Sequence, residues 1–175
     1  MILLYFFFLL PVLTAVVHTL VTPRPWSLGR LIELWLGHFI FWGIGVGGIA
    51  AFVCLSVSSA ADWIAEDWLG WAKGNPFQEI LAWSYLGLGV AGLICLWVKG
   101  GFRVATVLIA VLFGVGEFLS IVTSDAPTKV LVYSIVYDLV GSGILLLFLA
   151  GLYLVAGPVA FWDCHGCKAI SKGKK

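Results

Sequence analysis

Five ionisable side chains lie within or at the edge of long apolar runs: His18, His38, Glu79, Glu117 and Asp138. A charge at the centre of a membrane helix costs about 2.5–3.5 kcal/mol on translocon scales, so each needs a reason to be there. Around Asp138, Ser134, Gly141 and Ser142 fall on one helical stripe, and Tyr133 and Tyr137 flank it four residues apart. Such a stripe belongs inside a bundle, because lipid would leave its polar groups unsatisfied. Two kinds of chemistry fit. One is a proton or cation relay, with carboxylates towards one membrane face and imidazoles towards the other. The other is hydrogen-bonding between helices with no transport role. Glu117 and Asp138 lie on consecutive apolar runs joined by a few residues, so their carboxyls could approach, and two such groups in a low dielectric do not both ionise cheaply. Glu79 reads instead as an interfacial residue complementing a helix start.

Metal and redox chemistry find less support. His18 or His38 could join the acids around a metal, but the groups differ in depth. Cys164-His165-Gly166-Cys167 is a single CxxC that supplies at most half to three-quarters of a tetrahedral zinc site. It lacks the His after the second Cys that haem attachment uses. Cys54 and Cys95 sit in apolar runs and read as small packing residues. No metal, cofactor or catalytic group is expected.

The elements that must hold these residues follow from composition. Hydrophobic residues make up 62% of the 175 and charged residues 11%, against roughly 25% charged in a soluble domain. A soluble fold could not hide that much apolar surface. Apolar runs of about 20 residues point to membrane helices, whereas barrel strands alternate over about 10. The chain therefore reads as an all-α integral membrane bundle of five spans, about 2–21, 31–58, 77–98, 104–123 and 130–156. These form one domain over residues 1–161, followed by a basic tail, 162–175. The first run is expected to be retained, since no Lys or Arg precedes it and no small-x-small cleavage site follows. Gly43 and Gly47, and Gly89 and Gly92, mark faces where neighbouring helix backbones could approach closely.

The net charge of +1 is too small for a nucleic-acid partner. Its placement is informative. With five spans, Arg24, Arg30, Lys99, Arg103, Lys168, Lys172, Lys174 and Lys175 share one side, and Lys73 and Lys129 complete the ten basic residues on the other. The positive-inside rule then puts the C-terminus in the cytoplasm and the N-terminus and the 59–76 loop outside. By a rise of ~1.5 Å per residue, Glu117 lies about 10 Å and Asp138 about 13 Å in from the outer surface, and His38 about 12 Å from the inner one. Trp68 and Trp71 suit an interfacial loop, which closes at the Asn75-Pro76 turn before Gln78.

Several pieces together resemble a known family. They are Val17-His18, the Pro-Arg-Pro turn at 23–25, Glu33, Gly45–Gly48, Gly74-Asn75-Pro76-Phe77-Gln78, Gly89-Val90-Ala91-Gly92, Phe102 and Ala105-Thr106. The chain is similar to an uncharacterised family of small bacterial and archaeal membrane proteins known only as a domain of unknown function. The resemblance implies five spans and a bacterial or archaeal cytoplasmic membrane, with no activity to carry over. From the residues, the leading expectation is a non-catalytic accessory or oligomerising membrane subunit, in the lipid bilayer as a homo-oligomer or within a larger complex. The alternative is a small permease or a proton- or cation-coupled carrier using Glu117 and Asp138.

Overall fold

A computed structural model describes residues 2–22, 27–64, 66, 75–123 and 128–162, and among these every regular element is helical. Helix α1 spans Ile2–Val21 with Pro11 buried inside it. Thr14 and Thr19 turn their hydroxyls onto the Leu10 and Ala15 carbonyls, each at 2.7 Å, satisfying polar groups within the helix. Helix α2, Leu28–Ser56, starts at Ser27, whose side chain accepts from the Arg30 N–H. It is α-helical except for a π-helical segment, Ile40–Val46. The short α3, Ser58–Trp63, follows a break at Val57.

Helix α4, Pro76–Ile94, opens by the device its sequence announces. Asn75 Oδ1 accepts from the Phe77 N–H at 3.0 Å, Pro76 occupies the first turn, and Glu79 lies in that turn near the positive end of the helix dipole. Gln78 is buried, and its Nε2 donates to the Ala61 carbonyl at 2.8 Å, tying α3 to α4. Gly100, at φ 70°, makes the turn into α5, Gly101–Val122; a side chain there would be strained. Helix α6 comprises Thr128–Ser134, a second π segment Ile135–Val140, and Gly141–Trp162, with a break at Gly157, where φ is 75°.

Helix α2 packs against α4 and α6, and α5 packs against the same two, which closes a four-helix ring; α1 lies outside it on α2. The α2–α4 seam is backbone on backbone. A Cβ on Gly48 would fall 2.8 Å from Gly89 Cα, and one on Gly92 would fall 2.6 Å from Gly45 N. This corrects the expectation for Gly43, where a Cβ would meet open space. Gly45 and Gly48 pair with Gly92 and Gly89, and Gly47 is buried. One end of the ring is filled by Leu36, Ile40, Val104, Val107, Cys95 and Leu149. Outside, Leu112, Leu147 and Leu154 are 71%, 74% and 80% exposed. Four helices are long and apolar enough to cross a membrane: Leu28–Ser56, Pro76–Ile94, Gly101–Val122 and Val130–Val155. Outward leucines on such helices suit a lipid solvent.

Candidate intramembrane site

A cavity of about 100 Å³ lies inside the ring, bordered by all four of its helices and by Phe8 of α1. Both π segments reach it, through Gly43 on α2 and Tyr137 and Asp138 on α6. The Tyr137 hydroxyl donates across to the Gly43 carbonyl at 3.3 Å, joining the two irregular turns. A π-helical turn interrupts the regular ladder and is frequent at functional sites.

Glu117 and Asp138 both line this cavity, from α5 and α6. They do not bond to each other; each has its own hydroxyl. Tyr85 Oη lies 2.6 Å from both Glu117 oxygens and donates to that carboxyl group. Ser134 Oγ donates to Asp138 Oδ2 at 2.5 Å, one turn back on the same helix, and both of these residues are buried. Ser142 lines the cavity too, and a Cβ on Gly114 would fall 3.0 Å from its Oγ, so α5 and α6 approach closely beside Asp138. The remaining wall is largely aromatic: Phe8, Phe39, Tyr85, Phe113 and Tyr137. Tyr85 stands edge-to-face with Phe113 at 5.3 Å, and Phe8 with Tyr137 at 6.5 Å.

His18 and His38 meet elsewhere, in a wider cleft of about 670 Å³ between α1, α2 and the α4–α5 turn. Their rings are edge-to-face, with His18 Nδ1 3.3 Å from His38 Nε2. The direction of this chain can be worked out. Trp42 Nε1 can only donate, and it reaches Thr14 Oγ1 at 3.1 Å. The Thr14 proton goes to the Leu10 carbonyl, so His38 Nδ1–H donates to Thr14 at 2.9 Å and His38 Nε2 accepts from His18. Layers of the apolar core separate this cleft from the cavity: along α5, Arg103 faces the cleft, Val104 and Val107 the core, and Gly114 and Glu117 the cavity.

Of the other expected residues, Glu79 is exposed at the start of α4 and lines neither space. Trp68, Trp71, Cys164, His165 and Cys167 lie outside the described residues. Among the described residues no three His, Cys, Asp or Glu side chains gather as a metal site would need. Sequence reasoning missed Tyr85, Thr14, Trp42 and Arg103 as partners. Their bonds span 24 to 32 residues of chain or, for Arg103, join Glu33 far upstream, and no local periodicity encodes such pairings.

Fold and site together define a small all-helical membrane-embedded protein with two carboxyl groups facing an internal, aromatic-walled cavity. The chain belongs to DUF6790, described as a family of unknown function, whose match covers residues 1–151. No curated protein and no solved structure matches it.

Proposed function

We propose that this protein is a small cation-coupled carrier, in which Glu117 and Asp138 form the site that takes up a proton or a small cation. The observation that carries the reading is the shared cavity: two carboxyls on neighbouring helices open onto one internal space that all four ring helices enclose. The aromatic walls narrow the choice of ion. Ring faces attract a desolvated organic ammonium, whereas a hydrated metal ion asks for a shell of oxygens that this wall lacks. Roughly three waters' worth of space, at about 30 Å³ each, suits a small alkylammonium. The non-catalytic subunit expected from the glycine faces has less to stand on, because Gly45, Gly48, Gly89 and Gly92 are spent inside the chain, α2 against α4.

In this reading α1 is the fifth span. The N-terminus lies outside, the C-terminus in the cytoplasm of a bacterium or archaeon, and the chain works as a homo-oligomer because four helices enclose only a narrow space. The cavity then faces the outer half, the histidine cleft the inner half, and the apolar layer between them is the barrier a transport cycle must open. The test is flux in liposomes of the purified chain carrying an internal pH indicator. An inward methylammonium gradient should drive proton efflux faster than in empty liposomes. Asp138→Asn, which keeps shape and hydrogen bonding, should remove that coupling while leaving thermal stability close to the parent. Wild-type vesicles no faster than empty ones would overturn the proposal.

A further inference from the structure

The cleft at the other end of the bundle carries an excess of positive charge that its own residues do not absorb. Arg30, Lys99 and Arg103 line it, against one carboxylate, Glu33. Lys99 Nζ at 2.7 Å and Arg103 Nη1 at 3.6 Å both approach the same oxygen, Glu33 Oε1. Arg103 is only 6% exposed; its Nη2 donates to the Cys95 carbonyl at 2.9 Å, but its Nε is buried with no hydrogen-bond partner among the described residues. A buried guanidinium with an unmade bond is costly, which points to an acceptor that completes the set. Beside it, α5 begins at Gly100 with no side-chain cap, so its first-turn N–H groups add to the positive field.

The rest of the cleft is apolar, with Leu34, Phe41, Trp42 and Leu96 along its wall. Cations from three turns of two separate regions, converging beside an apolar wall, match a multiply oxygenated anion joined to something greasy. We propose that this cleft binds a phosphate group, engaged by Arg30, Lys99 and Arg103 in competition with Glu33. The guanidinium fork suits phosphate oxygens better than a single carboxylate, and Lys99, half exposed, supplies the mobile point charge. The group is either the headgroup of an anionic phospholipid or a free phosphate compound. The site is independent of the carrier reading, since it shares no residue with the carboxylate cavity.

The experiment follows thermal unfolding of the full chain in a neutral, phosphate-free detergent by tryptophan fluorescence, with three probes: phosphatidylglycerol, phosphatidylcholine and inorganic phosphate. A saturable rise in Tm with phosphatidylglycerol alone identifies the lipid headgroup; a saturable rise with inorganic phosphate as well identifies the free anion. Lys99→Gln and Arg30→Gln should each weaken the half-saturating concentration about tenfold, the loss of one charge-assisted contact. Glu33→Gln should tighten it, because the competing carboxylate is gone. Arg103→Gln is the direct variant but removes a buried group from the fold, so the surface pair decides. An equal response to phosphatidylcholine, no response to any probe, or unchanged affinity in both Lys99→Gln and Arg30→Gln would overturn the assignment.

Discussion

Glu117 owes its position to one hydroxyl. Tyr85 reaches both carboxyl oxygens from the facing helix, so Tyr85→Phe removes the contact while keeping the ring against Phe113. The expected result is a folded protein whose methylammonium half-saturation in the liposome assay shifts at least severalfold; an unchanged value would show that Tyr85 does not position the site. Thr14 is a second single-atom junction, serving Leu10, His38 and Trp42 at once. Thr14→Val strands a histidine N–H and an indole N–H and should lower stability by about 1–3 kcal/mol. Thr19, whose hydroxyl bonds only to its own helix, provides the control: Thr19→Val should be nearly neutral in the same melt.

Between helices, the α2–α4 seam sets the tolerance of the bundle. Gly48→Ala would press a methyl into the Tyr85 carbonyl and the Gly89 backbone, neither of which can swing aside. Overpacking of this sort costs about 1–3 kcal/mol, read as a lower Tm or a weaker yield of folded protein in detergent. Gly43→Ala meets open space and should melt like the parent. That contrast shows where sequence reading ends. Helix existence was legible from apolar length, and the start of α4 from Asn75 and Pro76, because both depend on neighbouring residues. The stripe Ser134–Asp138–Ser142 was legible too, since polar groups in an apolar run have few alternatives. The Gly43–Gly47 spacing misled because it assumes 3.6 residues per turn, and the π segment Ile40–Val46 widens the turn and rotates Gly43 off the seam. The true pairing, Gly45 and Gly48 against Gly92 and Gly89, repeats an i, i+3 spacing on two antiparallel helices, visible only once their register is known.

For the whole molecule the question is orientation. If the cleft with Arg30, Lys99 and Arg103 faces the cytoplasm, a cysteine introduced at Gly74 should react with an impermeant maleimide added to intact cells, and native Cys164 and Cys167 only after the cells are opened. Labelling of the tail from outside would reverse the topology and with it the side from which cations enter. The two π segments carry a further consequence, for the chain's tolerance of changed length. A π turn holds one residue more than the α-helix it interrupts. Deleting a single residue within Ile40–Val46 should therefore restore ordinary winding to α2, yet swing everything beyond it by about 100° relative to what precedes. Gly45 and Gly48 would leave α4, and the Gly43 carbonyl would leave Tyr137. A deletion scan should thus find the apparently irregular turn to be among the least dispensable stretches of the chain, while single insertions between α2 and α4 pass with little effect.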